Sequence, residues 1–238
     1  VPIFNGLFAN PNHQATALAI GAVLLLSGAT GLPDAGRRLS EGRRKASRIG
    51  RIGLAVLLLM GLPFTGSRGM VLIAAAALLA LPLANGRLVD QWRRPGGKRR
   101  VLGIGLAGLA VAVLVAAAAL GWMRVDRLEG GRSALAASTS TMAMEAMPMG
   151  TGAGSFVQWF DAHVPDALLQ YEYYNHAHNE YVQWWLEGGI AGLGWIVLLL
   201  AGFAWARPRR SLDGQRPSGA RVGSWLGVGI LLAHSVAD

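Results

Sequence analysis

Long apolar segments, separated by short polar or basic stretches, dominate the chain. A bilayer core of about 30 Å needs about 20 residues of helix, so segments of this length predict membrane-spanning helices. The second segment is interrupted near Ser67-Arg68-Gly69 and is long enough for two helices, which predicts a helical hairpin with its tip in the outer interface. The apolar segments are 14–31, 52–84, 101–122, 184–205 and 222–237.

Counting the hairpin as two spans predicts an all-α, polytopic helical membrane protein with about six transmembrane segments and one long extracytoplasmic loop. The hairpin arms, 52–65 and 70–84, are both short for a full span. The composition agrees, because 53% of the residues are hydrophobic and only 15% are charged. The chain has no cysteine, which excludes disulfides and thiolate metal sites. We expect one membrane domain over 1–238, as a fragment of a longer protein.

The formal net charge of +9 comes from basic clusters between the apolar segments. Eighteen of the 22 Lys and Arg residues lie in three stretches, 32–51, 85–100 and 206–221, which fall on one side of the membrane in the six-span arrangement. The positive-inside rule makes that side cytoplasmic. Because the basic residues follow no amphipathic face, their pattern predicts topology and no nucleic-acid partner.

The long loop at 123–183 faces the opposite side and carries the candidate chemistry. An Ala- and Met-rich stretch at 133–147 predicts a helix, and the glycine-rich run 148–156 after it predicts a tight loop. No strand precedes this run and no lysine completes a P-loop, so we expect no nucleotide site. The loop ends on Asn175-His176-Ala177-His178-Asn179-Glu180-Tyr181, at the mouth of an apolar span where ionisable groups are costly.

Four separate sequence motifs of the chain are considered together, because their order and their placement outside the membrane agree with one family. The most specific is His178-Asn179, followed after nine residues by Gly189 and after two more by Gly192. The others are the segments 6–13, 65–69 and 148–156. In order and in outward placement, the set resembles the C-terminal half of the O-antigen ligase and O-antigen polymerase superfamily, which are membrane glycosyltransferases.

The resemblance implies transfer of a preassembled glycan from a polyprenyl-diphosphate carrier to a hydroxyl acceptor in cell-surface polysaccharide biosynthesis. The acceptor would be lipid A-core, a growing glycan or a protein hydroxyl. The enzyme would cross the bacterial inner membrane several times, among its lipids, with the site facing the periplasm and with neither a cofactor nor a metal. Ligase, polymerase and protein O-oligosaccharyltransferase share these motifs, so all three stay open.

His178 is the predicted catalytic residue. It lies at the predicted start of the helix that continues into 184–205, where the positive end of the helix dipole disfavours a charged imidazolium. A neutral ring can accept a proton, and the resemblance implies that His178 activates or orients the acceptor hydroxyl for attack on the anomeric carbon. Without the resemblance, a structural interfacial histidine would be the simpler interpretation.

Arg68 and Arg132 are the predicted diphosphate-binding residues. An arginine between two short apolar helices is costly unless it meets an anion, and guanidinium binds phosphate bidentately. The alternative for Arg68 is snorkelling to the lipid headgroups. Arg132 begins the outer-loop helix where the resemblance places an arginine, and its alternative is solvated pairing with Asp126 or Glu129.

His176, Asn179 and Glu180 are predicted to support His178. An extended backbone would place His176, His178 and Glu180 on one face, as a zinc site requires. We expect instead that a helix beginning at Asn179 turns these side chains apart and that no metal binds. His176 is then a hydrogen-bonding neighbour, Glu180 a first-turn charge and Glu187 a partner for an arginine.

A transporter or flippase of a lipid-linked or anionic substrate is the alternative from a different class. Such a protein would also bury Arg68 and expose a histidine. It predicts inverted repeats and helices that are broken near the middle of the membrane. The polar groups of this chain concentrate on one side instead, which favours the glycosyltransferase.

Overall fold

The computed structural model describes residues 7, 8, 10–28, 40–85, 129–163 and 174–236, without the side chains of 129–133. Every regular element in these ranges is helical, which confirms the all-α prediction for this part of the chain. A 3₁₀ turn, Leu62–Thr65, joins the second and third α-helices. The helices are α1 (Pro11–Ser27), α2 (Glu41–Gly61), α3 (Arg68–Ala84), α4 (Glu129–Glu145), α5 (Phe156–His163), α6 (Glu180–Trp205) and α7 (Gly219–His234).

The chain forms two compact units. The first unit comprises Val1–Leu120 and Ala206–His234, and the second comprises Gly121–Trp205 and Ser235–Asp238. Helices α1, α2, α3 and α7 belong to the first unit, and α4, α5 and α6 belong to the second. The single membrane domain expected over 1–238, with its extracytoplasmic loop at 123–183, stays a prediction.

Two helical segments in the described ranges are long and apolar enough to cross a membrane, Glu41–Thr65 and Glu180–Trp205. Both carry outward-facing apolar side chains, such as Phe64, which is 69% exposed, and Leu198, which is 66% exposed. Such surfaces are costly in water but compatible with lipid tails. The predicted segment 101–122 lies outside the described residues, so the count of about six spans stays a prediction.

Helix α2 begins at Glu41, well before the predicted hairpin arm. The Ser40 hydroxyl accepts a hydrogen bond from the Arg43 N–H at 3.5 Å, which caps the helix. Arg and Lys are good helix formers, so the basic stretch continues the helix. The predicted loop at 32–51 is therefore wrong from Glu41 onward. The prediction of a short arm is wrong too, because α2 and its 3₁₀ turn together span 25 residues.

Helix α1 packs against both α2 and α7 at glycine positions. A Cβ added to Gly21 would lie 3.0 Å from the Leu58 side chain, and one added to Gly219 would collide with the Ser27 carbonyl. These contacts place the start of α7 beside the end of α1. At the other end of the same pair, the rings of His13 and His234 lie 5.4 Å apart, so α1 and α7 are antiparallel.

Charge is distributed unevenly between the two ends of the first unit. Thr16 donates a hydrogen bond to the Met70 sulfur at 3.5 Å, so the hairpin tip, with Arg68, lies at the end where α1 begins. Arg48, Arg51 and Arg216 lie at the opposite end, around the place where α1 stops. Within this unit these three arginines and the hairpin tip therefore occupy opposite ends, as the predicted topology requires.

The second unit has its own apolar core, formed where α4, α5 and the first part of α6 meet. Leu135, Phe156, Phe160 and Leu186 are each at most 1% exposed, and the two phenylalanine rings stack at 5.3 Å. Ala177 is also fully buried in this core. The segment that carries the two histidines is therefore anchored by the residue between them.

Candidate active site around His178

The glycine-rich run forms the tight loop that the sequence predicts. It follows α4 and ends where α5 begins at Phe156. Gly150, Gly152 and Gly154 all have positive φ angles, of 73°, 98° and 76°. Only glycine adopts this backbone without strain, so the alternation of glycines follows from the shape of the loop.

The loop inserts its backbone into a break in α6. Gly189 interrupts the helix with φ 51° and ψ −132°. The Ile190 N–H, which would otherwise bond within the helix, donates to the Pro148 carbonyl at 2.9 Å. The N–H groups of Thr151 and Gly152 donate at 2.9 Å to the carbonyls of Leu186 and Glu187 respectively. The loop therefore satisfies backbone groups that the break would leave without partners.

Three glycines, which lack a side chain, allow the loop to enter α6 and the helix to bend at the break. A Cβ on Gly150 would lie 2.5 Å from the Glu187 carbonyl, and one on Gly189 would collide with the Pro148 carbonyl. A Cβ on Gly192 would collide with the Trp184 carbonyl across the break. The spacing of Gly189 and Gly192 after His178-Asn179 therefore has a structural cause: the first admits the loop and the second allows the helix to bend.

A chain of hydrogen bonds connects the glycine loop to the histidine segment. The Glu187 carboxylate accepts from the Gly154 N–H at 2.9 Å and from the Gln183 side-chain amide at 3.1 Å. The Gln183 carbonyl oxygen accepts from the Ala177 N–H at 3.0 Å. The expectation that Glu187 pairs with an arginine is therefore wrong in the described part of the chain, where this carboxylate bonds an amide and a backbone N–H.

The two histidine rings lie side by side. The ring centroids of His176 and His178 are 4.1 Å apart and their planes are inclined by 53°. The prediction that His176, His178 and Glu180 turn apart is wrong for the two histidines, because both lie in the turn before α6 and not in the helix. Among the described residues no group of three His, Cys, Asp or Glu side chains is placed to hold a metal ion.

His178 has an unusual backbone conformation. Its φ is 53°, and every other described residue with a positive φ is a glycine. The left-handed region costs a residue with a Cβ about 1–2 kcal/mol, and such strain persists only where surrounding contacts enforce it. Here the buried Ala177 on one side and the capped start of α6 on the other hold the backbone. The direction in which the half-buried side chain leaves the backbone is thereby set.

Asn179 and Glu180 begin α6 as predicted. The Asn179 side-chain oxygen accepts the Val182 N–H at 3.1 Å, and Glu180 is the first helical residue. An asparagine cap and a first-turn carboxylate both stabilise a helix N-terminus. The structure thus gives these two residues a local role, which is to define where the helix begins beside His178.

The predicted diphosphate-binding residues, Arg68 and Arg132, belong to helices other than the one that His178 precedes. Arg68 is the first residue of α3 in the first unit, where it is half-buried next to the buried Ser67. Arg132 belongs to the first turn of α4 in the second unit, and its side chain lies outside the described part. Because Arg68 and His178 belong to different units, their convergence on one substrate stays a prediction.

Sequence reasoning missed the positioning role of Gln183 and Glu187. A signal was present, since Asn179, Gln183 and Glu187 recur every four residues and so share one face of a helix. The pattern does not show which segment of the chain packs against that face. The glycine loop lies more than 30 residues earlier in the sequence, and local spacing does not reveal such a contact.

Replacing Glu187 with glutamine is expected to loosen the histidine segment. The new side-chain NH₂ group would replace one of the two accepting oxygens, so either the Gly154 N–H or the Gln183 amide would lose its acceptor. A buried donor without an acceptor costs about 1–3 kcal/mol. The carboxylate is only half-buried, so the lower end applies. We expect a lower thermal midpoint and faster amide exchange in 174–180. Glu145→Gln, at an exposed carboxylate ending α4, is the control; equal effects of both would contradict the network.

The described part of the chain therefore combines membrane-length helices with two adjacent histidines at the start of one of them. Residues 53–197, more than half of the chain, match the O-antigen ligase family, and the match includes every predicted site residue. The chain belongs to the O-antigen ligase family. No curated protein and no solved structure matches it significantly. Family and helices together indicate a membrane protein with a glycosyltransferase-like role in polysaccharide biosynthesis.

Proposed function

We propose that this protein transfers a preassembled glycan from a polyprenyl-diphosphate carrier to a hydroxyl acceptor on the periplasmic side of a bacterial inner membrane. The observation that carries the proposal is the fixed position of His178. Its strained backbone is enforced by the core on one side and by a helix cap on the other, in a chain that belongs to the O-antigen ligase family. Strain of this kind is found at functional sites.

The proposed reaction is a single displacement. The acceptor oxygen forms a bond to the anomeric carbon of the glycan while the bond from that carbon to the diphosphate oxygen breaks. His178 accepts the proton of the acceptor hydroxyl, and the polyprenyl diphosphate leaves, so the configuration at the anomeric carbon inverts. A correctly placed general base contributes about 10²–10⁴ to such a rate. His176, in ring contact with His178, supports its orientation.

Arg68 and Arg132 are proposed to hold the diphosphate. A guanidinium stays charged, binds phosphate oxygens bidentately and stabilises the negative charge that develops on the leaving group. Since the free energy of transfer is already stored in the bond between glycan and diphosphate, neither a nucleotide nor a cofactor is required. We also propose that the reaction is independent of metal ions.

One observation agrees with the transporter alternative, which predicts broken helices: α6 is broken at Gly189. Transporters use the open backbone groups of broken helices to bind ions or substrate. In α6 those groups already have protein partners: the Leu186 carbonyl accepts from Thr151, the Glu187 carbonyl accepts from Gly152, and the Ile190 N–H donates to Pro148. The break therefore serves internal packing, which supports the transferase.

An assay with purified intact protein separates these alternatives. The protein is incubated in detergent with a polyprenyl-diphosphate glycan and each acceptor class, in the presence of a metal chelator and without nucleotide. We expect glycan-linked acceptor and free polyprenyl diphosphate as products. The acceptor that reacts identifies a ligase, a polymerase or a protein glycosyltransferase. Movement of intact donor across a proteoliposome membrane, without glycan transfer, would instead establish the transporter.

A further inference from the structure

The first unit contains a cavity of about 860 Å³ at the end where α1 stops, beside the middle of α2. The described residues that line it come from α1, α2, α3 and the segment before α7. Ordinary ligand pockets have volumes of about 300–1,000 Å³, so this cavity has the size of a binding site. None of the predicted site residues whose side chains the structure describes lines it.

Three guanidinium groups give the cavity a positive charge. Arg48 and Arg51 contribute from the first half of α2, and Arg216 contributes from the segment before α7. The described carboxylates of this unit, Glu41 and Asp213, are not among the lining residues. Helix dipoles do not cancel this charge, because α1 and α3 end here and α7 begins here, and their partial charges sum to about half a negative charge. The cavity therefore favours an anion.

The remaining walls are apolar. Leu25 and Leu26 of α1, Ile52 of α2, and Leu78 and Leu81 of α3 line the same space. On α2 the apolar surface continues outward from the cavity, because Ile52 is 44% exposed and the following turns of this membrane-length helix carry further exposed apolar side chains. A ligand that fits both walls has an anionic head and a hydrocarbon chain.

We propose that this cavity binds an anionic phospholipid from the leaflet on the basic side of the membrane. Its phosphate contacts Arg48, Arg51 and Arg216, while the first part of an acyl chain lies against the leucines. Basic pockets between membrane helices bind the headgroups of anionic lipids in this way. The lipid would tie α1, α2 and α3 together at the end opposite Arg68, so the site is independent of the proposed glycan transfer.

Native mass spectrometry of the intact protein in detergent tests the proposal, with phosphatidylglycerol as the probe and phosphatidylcholine as the zwitterionic comparison. We expect phosphatidylglycerol to bind selectively. The double variant Arg48→Gln/Arg51→Gln should weaken its binding about thirtyfold, because each basic residue near a lipid surface contributes about fivefold. The variant Arg48→Lys/Arg51→Lys keeps the charge and should retain most of the binding, which shows that the side chains tolerate replacement.

The matched control is Arg43→Gln/Arg44→Gln, which removes the same charge from exposed positions of the same helix outside the cavity. This control should leave binding unchanged. Equal losses in both double variants would overturn the proposal, since they would show attraction to surface charge alone. Equal binding of both lipids would also overturn it, as would displacement of the lipid by millimolar inorganic phosphate, which would identify a site for soluble phosphate.

Discussion

Replacing His178 with asparagine in the intact protein is expected to lower the rate of glycan transfer by about 10²–10⁴ while leaving the protein folded. Asparagine removes the imidazole that would accept the acceptor proton. It also adopts the left-handed backbone more readily than histidine does, so the φ of 53° at this position is retained with less strain. The measurement is the initial rate of transfer with purified protein, together with its thermal midpoint.

A second histidine of the same unit provides the control. His163 ends α5, where its ring stacks on Trp159 at 4.4 Å and its Nδ1 lies 2.8 Å from the Trp159 carbonyl. His163→Asn should therefore leave the rate of transfer unchanged. If His178→Asn transferred glycan at the normal rate, or if His163→Asn lost as much activity as His178→Asn, then His178 would have no special part in the reaction.

Replacing Gly189 with alanine is expected to prevent the second unit from folding correctly. The backbone at φ 51° and ψ −132° is almost closed to a residue with a Cβ, and the strain alone costs about 1–3 kcal/mol. The added methyl group would also collide with the Pro148 carbonyl, a backbone atom that cannot move without breaking its bond to Ile190. Together these effects consume a large part of the stability of a small unit.

The neighbouring glycine is the matched control. Gly188 has nothing within 4 Å of an added Cβ, and alanine there should raise helix propensity by about 1 kcal/mol. Protein yield, thermal midpoint and limited proteolysis between 146 and 190 measure the difference. Equal stability of Gly188→Ala and Gly189→Ala would show that the loop does not enter the helix.

The sequence predicted the first unit as far as hydrophobic periodicity extends. The boundaries of α1, α3 and α7 follow apolar segments, and the turn at Thr65-Gly66-Ser67 lies where the pattern is interrupted. The start of α2 was missed because hydropathy assigns arginine and lysine to loops. Helix propensity and the Ser40 cap favour a helix through the same residues, and they determine the structure here.

In the second unit, the sequence predicted the members of the candidate site but not their arrangement. The motif identified His178, Asn179, Gly189 and Gly192 together, and the alternating glycines predicted a tight loop. The contact of that loop with α6 depends on a break at one glycine, which looks like an ordinary helical glycine in the sequence. The proximity of the two histidine rings depends on the turn before α6, where His178 has a positive φ, and a sequence pattern does not predict such a backbone at a histidine.

The insertion of the loop into α6 has a consequence for engineering within the family. Each partner completes the other: residues 148–152 supply the donors and the acceptor that the interrupted helix needs at 186–190. Neither stretch is an independent module. A hybrid of two family members would have to inherit both stretches from the same parent, even though more than thirty residues separate them and the crossover points between them would otherwise be free.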